Sequence, residues 1–127
     1  VIITGGRVIE YVSSKIGRDI IPPCTAIGRE KYGLIVAGVV FNIYTGPDIE
    51  VTVAAEQGGV TRGLVAACGR YVFSQLGCLR ASITTEQSHV IDLATRLGAQ
   101  TEGRKRNAFG LGRDAILLGI LKEDWKL

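Results

Sequence analysis

The chain has 127 residues, 46% of them hydrophobic, and a formal net charge of +3. That length supplies one compact core, so residues 1–127 read as a single domain, and the apolar content excludes a disordered chain. The charge is too mild to demand nucleic acid, and with no membrane-length apolar run and no leader pattern the expectation is a soluble, cytoplasmic protein.

Cys24, Cys68 and Cys78 form no C-x-x-C pair, and His89 is the only histidine. No zinc spacing exists, so no metal is expected. The cysteines read as small buried hydrophobes in a reducing compartment.

Taken in order, Ile2 and Ile3 suggest a short first strand. Thr4 then caps a helix whose Val8, Ile9, Val12 and Ile16 form an apolar stripe, closed by Gly17. Asp19 to Pro23 is a loop, because Pro22-Pro23 cannot continue a helix. A strand is expected over Thr25–Arg29, a hairpin turn over Glu30–Gly33, and a long strand over Leu34–Tyr44, interrupted by Gly38. After a turn at Thr45–Asp48, Ile49, Val51 and Val53 alternate with Glu50, Thr52 and Ala54, the period-two signal of a strand ending near Ala55. These three strands have short connections, so an antiparallel meander is the simplest arrangement.

Gly58 and Gly59 break that strand. From Thr61, the residues Leu64, Val65, Cys68, Tyr71, Val72, Gln75 and Leu76 recur at three- and four-residue steps. Thr61 is the expected N-cap and Gly77 the stop. A helix start emerging from a glycine turn leaves unpaired N–H groups and a positive dipole end, an anion site suited to phosphate.

Leu79 to Thr85 reads as the next strand, parallel to the Ile49–Ala55 strand through a right-handed βαβ crossover. Ser88 caps a further helix, with Val90, Ile91, Ala94 and Leu97 inward and Gly98 ending it. Asp92 and Arg96 on it have i, i+4 spacing. A polar strand over about Gln100–Asn107, a Gly110–Gly112 turn and an apolar strand over Ala115–Leu121, buried on both faces, complete the chain. The order β-α-β-β-β-α-β-α-β-β implies an α+β fold: a mixed, mostly antiparallel sheet flanked by helices on both faces.

Two stretches carry a resemblance. One is the strand, glycine turn and helix from Glu50 to Gly77. The other is Ile91-Asp-Leu-Ala-Thr-Arg-Leu-Gly-Ala-Gln-Thr-Glu-Gly103 with Ala115-Ile-Leu-Leu-Gly-Ile-Leu-Lys-Glu-Asp-Trp125. With the element order, they resemble the GNAT superfamily of acyl-CoA-dependent N-acyltransferases over nearly the whole chain. The opening Ile-Ile-Thr-Gly and the Pro-Cys-Thr-Ala-Ile-Gly segment look like small members encoded by bacteriophages and prophages.

The resemblance implies acetyl-CoA as cofactor and a small-molecule or peptide amine as acceptor. Gly58, Gly59, Val60, Thr61, Arg62, Gly63 and Leu64 would surround the diphosphate, with backbone N–H groups from Gly59 to Leu64 as donors. Val53 and Ala54 would meet the cofactor on the strand, and Gln87 and Val90 at the following helix. Gly58-Gly-Val-Thr-Arg-Gly63 departs from the family's turn by placing Thr61 at the middle glycine. Gln87 stands where an Asn is common, and Ala94 stands where many members carry a Tyr. The last departure removes the usual general acid, leaving Ser88 and Tyr71 as weak candidates.

Glu50 is the first choice of general base, taking the amine proton directly or through a water. The alternative is a solvated charge beside the Gly46-Pro47 turn. Glu56 reads as solvated or turn-stabilising. A backbone N–H where the Ile49–Ala55 strand splays from its neighbour would polarise the thioester carbonyl. No Cys–His pairing supports an acyl-enzyme, so direct transfer is expected.

Phe41, Asn42 and Tyr44 are placed in the acceptor cleft by their strand position, and the short Ile20–Pro23 loop suggests an open site and a large acceptor. His89 reads as a surface residue or an acceptor contact. Arg104-Lys-Arg106 with Arg113 reads as the outer face of a polar hairpin, the alternative being a nucleic-acid or acidic-substrate patch; without interleaved aromatics for base stacking the hairpin face is preferred and nucleic acid is not expected. Trp125 covers the core or an oligomer contact, and the exposed hairpin end is compatible with a homodimer. The competing reading is a catalytically silent GNAT-like module that binds a protein or nucleic-acid partner.

Overall fold

The computed structural model describes residues 1–127. Its elements are β1 (Ile2–Thr4), α1 (Gly6–Ile16), β2 (Thr25–Lys31), β3 (Leu34–Asn42), β4 (Glu50–Ala55), α2 (Arg62–Gly69), β5 (Arg80–Thr85), α3 (Ser88–Arg96), β6 (Gln100–Gly110) and β7 (Arg113–Leu121). The strands form one seven-stranded sheet in the order β1-β2-β3-β4-β5-β7-β6. Every neighbouring pair is antiparallel except β4 with β5. No helix is long and apolar enough to cross a membrane, and no group of three or more His, Cys, Asp or Glu is arranged to hold a metal.

The alternation of β2 to β4 sends residues to opposite faces and divides the core. Ala26, Val40 and Ala54 face α1, where Val8 and Val12 are fully buried. Val39, Phe41, Ile83, Leu118 and Ile120 face the opposite way, toward Val72, Phe73, Val90 and Ala94 on the α2–α3 side. Helices thus cover both faces of the sheet.

Gly38 does not interrupt β3. It pairs with Gly28 across the ladder, and a Cβ on Gly38 would lie 2.6 Å from Val12 Cγ2, one on Gly28 2.9 Å from Val8 Cγ2. The two glycines let α1 sit directly on the sheet. What does end β3 is Ile43, whose φ of 49° takes the backbone out of the extended region before Tyr44.

Several local expectations are corrected. Thr4 pairs with Ile27 in β1, and Gly5 occupies the N-cap of α1 with no side-chain cap bond. Ser88 is the first residue of α3 rather than its cap; the N-cap is Gln87, whose N–H donates to Thr85 Oγ1 at 3.0 Å. The helix opened by Thr61 is α-helical only to Gly69 and widens into a π-helical turn over Arg70–Gln75. There the Leu76 N–H reaches back to the Tyr71 carbonyl. Trp125 lies on Gly69, where a Cβ would come within 2.5 Å of the indole, and beside Phe73 at 5.6 Å. It covers the core.

Candidate active site

The parallel ladder between β4 and β5 registers only Glu50 with Ser82 and Val51 with Ile83. Beyond these pairs the strands part. The Val53 carbonyl accepts a hydrogen bond from Gln87 Nε2 at 3.0 Å instead of from a neighbouring strand. Within a strand the N–H and C=O of one residue leave by the same edge, so the Val53 N–H also faces this gap. Ala54 does not: it pairs with Gly38, and its side chain is buried beneath α1.

Two spaces meet at the gap, and a third adjoins one of them. On the α2–α3 side lies a narrow, almost wholly apolar channel of about 80 Å³, lined by residues including Val53, Val60, Leu64, Ile83, Val90 and Ala94. At its outer end a pocket of about 350 Å³ opens at the start of α2 between Thr61, Arg62, Leu93, Arg96 and Lys126. On the α1 side a cavity of about 210 Å³ is lined by Val51–Val53, Ile83–Gln87, the end of α1 (Lys15, Ile16, Arg18), and Phe109 and Arg113 from β6 and β7. Val51, Val53, Ile83 and Val90 line both this cavity and the channel.

At the start of α2, Thr61 acts as the cap, its Oγ1 accepting from the Leu64 N–H at 3.2 Å. The Val65 N–H is taken by the Thr61 carbonyl. The amides of Val60, Thr61, Arg62 and Gly63 have no partner among the protein atoms, and a Cβ on Gly63 would meet nothing nearer than 3.9 Å. This is an open cluster of donors at a positive helix end. Gly59 is not part of it, because its N–H is spent on the Glu56 carbonyl at 2.8 Å. Its lack of a side chain serves packing: a Cβ there would lie 2.0 Å from the Val36 carbonyl oxygen. Gly58 supplies the left-handed turn, with φ of 73°. Arg96 and Lys126 extend the basic rim. Neither was legible in the helix pattern; Arg96 forms no ion pair with Asp92, and Lys126 arrives because its N–H bonds the Leu97 carbonyl.

Glu50 is half-buried at the start of β4, on the α1 face shared with Thr52. Thr52 lines the cavity; Glu50 lies one step outside it. Burial, then the nearby Asp48 charge, push the Glu50 carboxyl above the ordinary carboxylate range, while Lys105 and Arg80 pull it down. Asp48 is itself held by Ser82 Oγ at 2.8 Å, and Arg80 pairs with Glu102 across Gly119, where any Cβ would collide with both. Glu86, the carboxylate in the cavity wall, is held by Arg113 and kept below its ordinary range by that hydrogen bond. Of the two, Glu50 is the more basic, since its shift runs upward and that of Glu86 downward.

The other candidates fall elsewhere. Tyr71 hydrogen-bonds Thr25 Oγ1 at 2.7 Å and packs edge-on against Phe41 at 4.9 Å, away from the gap. Ser88 and His89 are exposed, and neither lines the cavity. Asn42 pairs with Glu50 where β4 begins, away from the open end at Val53, and Tyr44 follows it; Phe41 lines the apolar channel with Val51 and Val53. Asn42 Nδ2 there donates to the Ile21 carbonyl at 3.0 Å. Glu56 joins α1 to the end of β4, accepting from Tyr11 and pairing with Lys15. The basic hairpin is partly neutralised by Arg104–Asp114 and Arg113–Glu86 pairs.

The fold as a whole matches solved structures. Over 97% of this chain and 92% of the other, the fold superposes on spermidine/spermine N-acetyltransferase SpeG from Vibrio cholerae with a TM-score of 0.71 at 13% identity. The fold is that of the GNAT acetyltransferases. An aminoglycoside 6'-acetyltransferase type Ii shares the GNAT fold with a TM-score of 0.68 at 14% identity, over 96% of this chain and 97% of that one. A probable acetyltransferase matches at 0.66 and 19% identity, over 80% of this chain but 64% of that one, less than two thirds of its length. No protein-family model and no curated protein matches the sequence.

Proposed function

We propose that the protein is an acetyl-CoA-dependent N-acetyltransferase that acts by direct transfer to an amine. The observation that carries this reading is the succession of adjoining spaces, from the pocket beside the unpaired amides of Val60–Gly63, to the apolar channel, to the gap between β4 and β5. Its order of chemistry suits a ligand with a diphosphate at one end and an uncharged arm leading to a reactive tip. Solved structures of the same fold are acetyltransferases by name.

The donor set fits this cofactor. The Val60–Gly63 amides and the charges of Arg62, Arg96 and Lys126 would hold the diphosphate end. Val53, Leu64 and Val90 would bound the arm, and Gln87 is locked in place by its bond to the Val53 carbonyl. Bound acetyl-CoA supplies an acyl group activated as a thioester. The Val53 N–H is the donor aimed into the gap for the carbonyl oxygen. Glu50, reached through a water beside Thr52, takes the proton that the amine must lose. The cofactor thiol would be the leaving group as the amide forms, and the residues here would need to supply no strong acid, because a free thiol has a pKa of about 8.5. The burial of Ala94 in the core, where it can donate no proton, is consistent with that route.

Acetyl-CoA at about 100 times its Kd should stabilise the protein by about 2.7 kcal/mol, raising the melting temperature. No shift at millimolar acetyl-CoA overturns the reading. Binding without release of free thiol across a panel of amines favours the silent binding module.

A further inference from the structure

Four charged, solvent-exposed side chains line the α1-side cavity: Lys15, Arg18, Glu86 and Arg113. Three of them are already paired. Lys15 is 2.7 Å from Glu56, and Arg113 grips Glu86 through two hydrogen bonds. The Arg18 guanidinium has no carboxylate within 4.0 Å and forms no side-chain hydrogen bond with the protein.

Arg18 is nonetheless held in place. It follows the left-handed Gly17 at the end of α1, with its own N–H on the Ser13 carbonyl. Its guanidinium carbon lies 4.5 Å from the centre of the Phe109 ring. Phe109 reaches α1 because β6 is bulged between Lys105 and Gly110; the bulge includes Asn107, with φ of 56° and its N–H on Asp114. A guanidinium held over an aromatic ring without a hydrogen-bond partner has N–H groups left to donate, and a planar oxyanion is its matching partner.

Resting on the acetyltransferase reading above, we infer that the acceptor is a small amine bearing a carboxylate or phosphate, and that Arg18 is the residue that selects it. The amine then lies toward Thr52 and Glu50, and the anionic group toward Arg18. The cavity volume of 210 Å³ is below the ~300–1,000 Å³ of sites for drug-sized ligands, which favours a small acceptor over the large one expected from the short Ile20–Pro23 loop. A polycation finds no unpaired carboxylate in this wall.

The test compares matched acceptors. Acetyl-CoA affinity is measured first by calorimetry. Then kcat/KM is measured for L-lysine against cadaverine, for O-phosphoethanolamine against ethanolamine, and for spermidine. The expected result is a preference of at least about tenfold for the anionic member of one pair, the worth of one charge-assisted hydrogen bond; the pair that shows it identifies carboxylate or phosphate. Arg18→Gln should bring that ratio toward one through KM, and Arg18→Lys should restore part of it. Arg106→Gln, on the exposed hairpin, should preserve it. Acetyl-CoA binding with no preference in either pair, or with spermidine the best acceptor, overturns the inference and leaves the cofactor reading standing. Absence of acetyl-CoA binding overturns both.

Discussion

Burial drives the Glu50 carboxyl above its ordinary range, and Asp48 adds to the shift. A carboxyl whose folded pKa is raised contributes stability that is fully present below its unfolded pKa. That contribution is lost as pH rises through the folded value. Glu50→Gln should therefore unfold at higher denaturant concentration than the parent at neutral pH, with the difference vanishing in acid. The same substitution should lower kcat by about 10²-fold or more, the usual worth of a general base, and flatten the rise of rate with pH while acetyl-CoA affinity holds. Loss of stability at neutral pH, or an unchanged rate, would remove Glu50 from its role. Residue type and strand parity made Glu50 legible as a candidate, but its raised pKa comes from Asp48 and burial, which no spacing reveals.

Among the elements, the two helix starts behave differently. Thr61 caps α2 through Leu64, whereas Ser88 makes no cap bond in α3. Thr61→Ala should cost about 1 kcal/mol in chemical denaturation, and Ser88→Ala should stay within about 0.5 kcal/mol. Equal losses would contradict the cap assignments. Both residues have a good capping chemistry, so local preference cannot separate them. Thr85 decides the matter by taking the Gln87 amide one residue earlier. The π-helical turn after Gly69 was equally invisible, because apolar steps of three and four continue through it; Trp125 seated on Gly69 marks where the helix changes. The antiparallel meander was readable because its connections are short and its alternation is clean.

At the scale of the whole molecule, the basic pocket at the head of α2 is assembled from three distant parts of the chain. Arg62 comes from the turn, Arg96 from α3, and Lys126 from the C-terminal segment held on the Leu97 carbonyl. Gly98, with φ of 113°, allows that approach, since a Cβ there would lie 2.2 Å from the Asp124 carbonyl oxygen. Replacing Arg96 and Lys126 together by Gln should weaken acetyl-CoA binding by about tenfold or more and reduce its dependence on salt. Unchanged affinity in calorimetry would place the diphosphate elsewhere.

The sequence by itself determined the order of elements, the α+β class, the crossover from β4 to β5 and the donor-rich start of α2. Those properties follow from periodicity, turn chemistry and short connections, which act between near neighbours. Only the tertiary structure decided which amides stay unpaired, that Gly28 and Gly38 are seats for α1, and that Arg18, Phe109 and Arg113 share a cavity with Thr52. Each of these depends on where separate elements come to rest, and packing contacts between distant residues leave no period along the chain.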